Sequence, residues 1–338
     1  MEQWPAVSVI MPVRNEEPYL ADAVRHVLAQ DYPGQLEVVL AVGPSKDQTE
    51  RIARDLAASE PRLTVVASPT GQIPAALNLA LDAARFDILA RMDGHAMMSP
   101  GYLRHGVAEL RESGAVDVGG VMAAEGVTPF QRAVAWGMTS KAGVGAASWH
   151  TAGVAGPADS AYLGIYRRDA IKQAGGWDES MLRAEDWELN YRIRQNGGLI
   201  WFTPTLRVTY RPRRTIRALA SQYWHYGRWR RVVMRDHPET ASFRYLAPPG
   251  ALILSLAGLL LGAAGLAAGL PWLALAFVIP AGYLAGVTAV AFLLSPGMRP
   301  AVRARLPLVL MIMHMSWGAG FVTSPRGLRG RGRHLRPL

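Results

Sequence analysis

Cysteine is absent from the 338 residues, so disulfides and thiolate-held metals are excluded and the redox compartment leaves no trace. Lysine is nearly absent as well. Lys46, Lys141 and Lys172 are the whole set, which leaves 33 of the 36 basic residues (36 minus 3) as arginine. The formal charge is +10, and arginine-borne charge suits phosphate, anionic lipid or a nucleotide. No Gly-x-Gly-x-x-Gly follows the first strand-like run and no Gly-Lys-Ser/Thr occurs, which argues against dinucleotide dehydrogenases and P-loop enzymes. Charge itself disappears from Tyr245 to Met298.

That uncharged run is long enough for a bilayer. Pro271 divides it into two expected spans, about 248–270 and 272–294, whose glycines and alanines suit close helix packing in lipid. A third apolar run, 306–322, lies between Arg299, Arg303 and Arg305 and a basic tail, 325–338. Positive residues stay cytoplasmic, so positive flanks on both sides point to a re-entrant or interfacial segment, or to a third span with an exported tail. At the other end, Glu2 and the alternating run 7–13 argue against a signal peptide.

Four unbroken apolar runs, Val7–Val13, Leu36–Val42, Leu63–Ala67 and Ile88–Met92, read as strands. Amphipathic segments between them read as helices, the first opening at Arg14-Asn15-Glu16-Glu17 with Asn15 as its cap and another over Pro74–Ala84. The expectation is an α/β fold with a Rossmann-like, mostly parallel sheet covered on both faces. Such sheets present ligands at the carboxyl ends of their strands. Loops at those ends carry Arg14 and Glu16, Ser45 and Asp47, Gln72, and Asp93 with His95. An Asp and a His two apart, on a turn loosened by Gly94, suit a divalent cation or a diphosphate, although Asp-Gly is also an ordinary turn pair.

Beyond Pro100 a helix is expected over Tyr102–Ser113, a strand over Asp117–Met122 and a helix over Thr128–Ser140. A long loop, Ala142–Asp159, carries Trp149 and His150 at its centre, and Tyr162–Tyr166 reads as a strand. Glu185 and Asp186 open a helix on which Glu188 and Arg192 form an i,i+4 pair. Carboxylates there complement the helix dipole, or one of them serves as a general base. Between 213 and 235 seven arginines accompany Tyr223, Trp224, Tyr226 and Trp229, as in a basic helix on a membrane surface. The same pattern would suit nucleic acid, but the apolar spans directly downstream favour lipid.

Taken together, Val9 through Glu16, Met92-Asp93-Gly94-His95, Gly119-Gly120-Val121-Met122, Gly175-Gly176-Trp177-Asp178-Glu179 and Glu185-Asp186 through Arg192 resemble the family-2 glycosyltransferases of GT-A fold, in their membrane-associated, ExoA-like branch of succinoglycan biosynthesis. The resemblance runs over about 5–240. It implies inverting hexosyl transfer from a nucleotide-diphosphate sugar, a UDP-sugar being favoured. The implied acceptor is a polyprenyl-diphosphate-linked saccharide in polysaccharide or cell-envelope glycan assembly. It further implies Asp186 as catalytic base with Glu185 beside it, and Mg²⁺ or Mn²⁺ at Asp93 and His95, where His95 departs from a second aspartate. Donor contacts would come from Pro12, Val13, Arg14, Glu16, Asp47, Gln72 and Asp93. Val42 stands where many relatives carry a base-reading aspartate. Trp187, Gln222, Arg228 and Trp229 would face the acceptor or a diphosphate.

The implied layout is a cytoplasmic catalytic domain over 1–212, a basic interfacial segment over 213–244 and a multi-pass region over 245–324 in the inner (plasma) membrane, then the tail. Membrane lipid is an expected partner and nucleic acid is not. A processive polysaccharide synthase is the neighbouring alternative, with too short a membrane region to build a channel. A membrane-tethered nucleotide-sugar sensor or scaffold is another, supported by Val42 and His95.

Overall fold

The computed structural model describes residues 3–144 and 153–329, so Trp149 and His150 and the tail beyond 329 lie outside it. Strands β1 (Val7–Val13), β2 (Leu36–Val42), β3 (Leu63–Ala67) and β4 (Ile88–Arg91) pair in parallel. They continue into β5 (Met97–Met98), β6 (Asp117–Ala124), β7 (Gly156–Pro157), β8 (Ile165–Arg167) and β9 (Ile200–Tyr210). The order across the sheet is β3-β2-β1-β4-β8-β6-β9-β5, with β7 also on β9. β8 runs antiparallel to both β4 and β6, while β6 and β9 are parallel. The sheet is therefore mixed on its far side, and the GT-A-like α/β class stands.

Burial on both faces explains the unbroken apolar runs. Val7, Val9, Met11 and Val13 of β1 pack with helices α1 (Leu20–Leu28), α2 (Thr49–Ser59) and α4 (Tyr102–Glu112). Ile10 faces the other way, onto α3 (Ile73–Ala83) and, farther along the same face, α7 (Arg168–Gln173) and α8 (Glu185–Gln195). The period of two along a strand divides one sequence between two cores. Between these helices lie α5 (Pro129–Thr139), capped by Thr128 as a capping box, and the short α6 (Lys141–Val144).

Asn15 does not cap a helix. It adopts a left-handed conformation at φ 56°, and α1 begins only at Leu20. The Asn15 side chain accepts from the Lys46 amide (2.8 Å), while its own amide donates to Ser45 Oγ (3.1 Å). An Asx side chain that finds backbone partners across a gap competes with the local helix, and here the gap wins. The result stitches the loop after β1 to the loop after β2.

The C-terminal part comprises α9 (Ile216–Asp236), α10 (Phe243–Ala267), a 3₁₀ segment (Pro271–Phe277), α11 (Val278–Leu293), α12 (Pro300–Arg303) and α13 (Leu306–Val322). Three stretches, Phe243–Ala267, Pro271–Leu293 and Pro300–Val322, are long and apolar enough to cross a membrane. α13 is continuous over 17 residues, with no break at which a re-entrant segment would turn. Its Leu306, Val309, Leu310 and Met313 pack on Ala133, Val134 and Met138 of α5.

The expectation for 213–235 needs correction. α9 does not lay its aromatics on a surface. Tyr223, Trp229, Val232 and Val233 are buried, as is Arg230, while Arg213, Arg214 and Arg217 are exposed. The cause is α13, which crosses α9 at close range. A Cβ at Gly227 would meet the Trp317 backbone, and one at Gly320 would meet the Trp224 carbonyl. Small residues on both partners bring the two backbones together.

Candidate active site

The site is held by the stretch 174–192. Gly176 sits at φ +81°, and a Cβ there would press on Asn78 Oδ1 at 2.8 Å. Glycine lets the chain close on α3, where the Trp177 amide donates to Asn78 Oδ1 and Asn78 Nδ2 donates back to the Trp177 carbonyl, both at 2.9 Å. Arg192 and Glu188 form the expected i,i+4 pair, buried at 2.7 Å, and Arg192 Nη2 also donates to the Gly176 carbonyl at 2.8 Å. Trp177 is thereby fixed in the core, and its Nε1 donates to Asp186 Oδ1 at 3.2 Å. Ala184, at the start of α8, takes φ 61°, a left-handed conformation that costs a non-glycine residue about 1–2 kcal/mol. Strain of this kind persists where surrounding structure imposes it.

Across from α8, the end of β4 delivers Arg91 into the same space. Arg91 Nη2 lies 3.1 Å from Glu185 Oε1 and 3.3 Å from Asp93 Oδ1, and Nη1 contacts Asp186 Oδ1. Burial acts against the charge on this guanidinium, but Asp186, Asp93 and Glu185 outweigh it and push its pKa well above the ordinary range. Burial has the larger hand at Glu185, whose carboxyl is lifted to about 7 despite Arg91. Asp186 and Glu185 also differ in access. Asp186 lines a cavity of about 710 Å³, whereas Glu185 is not part of its wall and is buried.

At the carboxyl ends of the first strands, Arg14 Nε donates to the Pro44 carbonyl (3.2 Å), and Gln72 Oε1 is buried without a partner among the described residues. Pro12 and Val13 end β1 at this edge. Asp47, expected among the nucleotide contacts, is committed elsewhere. Its Oδ1 accepts from the Thr49 amide (3.1 Å) and hydroxyl (2.5 Å), and its Oδ2 accepts from the Glu17 amide (3.2 Å). A carboxylate so used braces two loops. Glu16 likewise takes a local partner, with His95 Nδ1 at 2.8 Å from its Oε1. That bond lifts the imidazole pKa above its ordinary value, against partial burial.

The donor set fits a divalent cation shared with a ligand. Asp93 keeps 26% of its side chain exposed and His95 keeps 51%, with His95 Nδ1 taken by Glu16. Among the described residues no group of three or more His, Cys, Asp or Glu could hold a metal by itself. One carboxylate completed by substrate phosphate oxygens is an ordinary arrangement for Mg²⁺.

Of the four residues expected to face the acceptor, Trp187 and Trp229 line the cavity, but Gln222 and Arg228 do not. Gln222 Nε2 donates to Tyr210 and Tyr226 hydroxyls, each at 2.8 Å, and Arg228 lies 4.2 Å over the Trp224 ring. Both are absorbed into the packing of α9. Residues the motifs passed over take their places: Arg91 at the carboxylates, and Arg230, Arg244, Tyr245 and Trp317 along the cavity. A buried arginine at the end of an apolar strand was the available signal for Arg91.

Comparison with known proteins agrees with this geometry. A sequence description of the family "Glycosyl transferase family 2" matches residues 8–175. The succinoglycan biosynthesis protein ExoA of Rhizobium meliloti is 31% identical over 316 residues, covering 93% of each chain. The beta-monoglucosyldiacylglycerol synthase of Trichormus variabilis is 27% identical over 197 residues, 56% of this chain and 41% of that protein. The mannosyltransferase of Pyrobaculum calidifontis, solved with GDP-Man and Mn²⁺, shares the fold at a TM-score of 0.60 and 21% identity, covering 95% of this chain and 87% of that one. With strand ends, paired carboxylates and near full-length similarity in agreement, the chain belongs to glycosyl transferase family 2.

Proposed function

We propose that this glycosyltransferase moves a hexose, with inversion, from a nucleotide-diphosphate sugar to a lipid-linked saccharide during exopolysaccharide assembly, at the cytoplasmic face of the inner membrane. The cavity carries this reading. It starts at Asp186 and Trp187 and extends between apolar helices, where Tyr245, Pro248, Ala251, Val287 and Met313 form its wall. A sugar acceptor with no lipid would have little use for such a wall. The names of two relatives, one for succinoglycan biosynthesis and one for a glucosyldiacylglycerol, support the polymer and the lipid respectively.

In this mechanism Asp186 accepts the proton of the acceptor hydroxyl as its oxygen attacks the anomeric carbon and the bond to the diphosphate breaks. Trp177 and Arg91 hold the carboxylate in line for that transfer. Asp93 would hold a divalent cation jointly with the donor, and the cation would supply charge to offset the departing diphosphate. Pro12, Val13, Arg14 and Gln72 would form the donor edge, with His95 and Glu16 ordering the loop beneath.

The test is a donor screen on the detergent-solubilised full chain, with a membrane lipid extract as acceptor and with Mn²⁺ or Mg²⁺. The expected outcome is nucleoside diphosphate release from one of UDP-, GDP- or dTDP-sugars, with label entering the solvent-extractable lipid. Chelation, Asp93→Ala and Asp186→Asn should each abolish it. Donor binding without release in the presence of the extract would overturn transfer in favour of a sensor or scaffold.

A further inference from the structure

The wall of the cavity is electrically lopsided. It carries Lys141, Arg183, Arg230 and Arg244 against a single carboxylate, Asp186. Arg230 is the most confined of the four, at 9% exposure. Its guanidinium packs against two rings, 4.4 Å from the centroid of Trp187 and 4.1 Å from that of Tyr245. Nη1 is buried with no hydrogen-bond partner among the described residues. Two further buried donors on the same wall, Trp187 Nε1 and Trp317 Nε1, are likewise without a partner among the described residues. The acidic group nearest in influence, Asp159, lies 4.0 Å from Arg244. Burial pulls the pKa of Arg230 down to about 10, which still leaves it charged at neutral pH.

A buried cation and several N–H donors with no acceptor are costly to leave unmet. An oxygen-rich anion would meet such donors, and a guanidinium packed against two rings is preorganised for two parallel bonds to a phosphate. The surrounding wall is apolar, and Tyr283, Val287 and Met313 continue it along the membrane-length helices.

We propose that Arg230, with the indole N–H groups of Trp187 and Trp317, seats the phosphate or diphosphate of a lipid whose hydrocarbon chain runs along α10, α11 and α13. The inference rests on the lipid-acceptor reading above and names the group that this acceptor presents. Arg244, Arg183 and Lys141 draw the headgroup to the mouth. The saccharide attached to the phosphate then reaches Asp186, which is adjacent in sequence to Trp187 and lines the same cavity.

The experiment titrates the full chain in detergent micelles with farnesyl diphosphate, farnesol and inorganic pyrophosphate, reading tryptophan emission from the cavity. No donor is present, so the result is independent of whether transfer occurs. Farnesyl diphosphate should bind at least tenfold tighter than farnesol or pyrophosphate. Arg230→Gln should weaken it by about tenfold to a hundredfold, a range set by charge-assisted bonds, and leave farnesol unchanged. Arg230→Lys should restore part of the loss, and Trp317→Phe, which keeps an aromatic ring and removes one donor, should weaken it about threefold. Equal binding of farnesol and farnesyl diphosphate would overturn the anion seat. Pyrophosphate binding as tightly as the lipid, or displacement of the lipid by UDP or GDP, would assign the arginine to a free anion or to the donor and overturn the lipid assignment.

Discussion

Two buried arginines divide the site. Arg91 meets three carboxylates, Asp93, Glu185 and Asp186, and is oversupplied with negative charge. Arg230 has two aromatic rings and no hydrogen bond at Nη1 among the described residues. The first arrangement matches its charge from within the protein, although Arg91 Nε and Nη1 also lack a hydrogen bond among the described residues. The second is open and gains its partner from outside. Both are buried arginines within one site, yet one organises the protein's own charges and the other is left to recognise a foreign one.

The largest expected effect tests the charge-matched side. Asp186→Asn removes the base and retains its shape, so turnover should fall by about 10²–10⁴, the range for general-base catalysis, while donor affinity stays within a few-fold. A parallel loss of donor binding would move Asp186 from the acceptor hydroxyl to the donor.

A stability comparison of the two arginines comes next. Arg91→Met strands three carboxylates and should cost about 3–5 kcal/mol, the usual result of removing one partner of a buried ionic cluster. Arg230→Met removes a charge that has no ion pair among the described residues and should change stability by about 1 kcal/mol or less without lipid, lost ring contacts offsetting relieved desolvation. Thermal unfolding of both variants in the same detergent measures this. Equal losses would end the distinction drawn here.

The same contrast explains what could be read in advance. The first four strands, the carboxyl-end loops and the Asp93 and Asp186 positions were legible because each depends on local pattern or on a short motif. Arg91 was printed beside the motif but looked like a strand residue, since its partners come from α8, 94 and 95 positions onward. Asn15 misled for a related reason, and Asp47 shows the same ambiguity. Loop carboxylates and amides look alike whether they face a ligand or brace a neighbouring loop, and only the tertiary gap decides. Arg230 looked like one more arginine of a surface helix until α13 covered that helix. An apolar run of 17 residues announces a helix but not the face it will bury.

That covering depends on close contact, which a methyl group should break. Gly320→Ala sets a Cβ against the Trp224 carbonyl, a backbone atom with little freedom to retreat. Overpacking of this kind costs about 1–3 kcal/mol. The cavity wall is built by the same helices, so the variant should also weaken farnesyl diphosphate binding while donor binding at the strand ends stays unchanged. Coupled loss on both sides would mean that donor and acceptor regions are one mechanical unit.

A last comparison supplies the reference for a satisfied charge outside the site. Glu37, at the amino end of β2, is buried, and accepts from Ser8 Oγ at 2.6 Å and the Arg85 amide at 2.7 Å. Burial would raise its pKa, but these bonds and the Arg85 guanidinium prevail and lower it. Because the folded value is depressed, the stabilisation is present above the unfolded value of about 4.3 and is lost as pH falls through the folded value. Glu37→Gln should therefore cost about 1–2 kcal/mol at neutral pH, with the gap to the parent protein closing below about pH 4. Arg85 is largely exposed, so salt should shave little more than its share from the difference. If the gap persists at low pH, the loss at Glu37 is one of packing and hydrogen-bond geometry rather than charge. The Arg91 cluster would then need its own acid titration before its carboxylates could be compared with an ordinary buried pair.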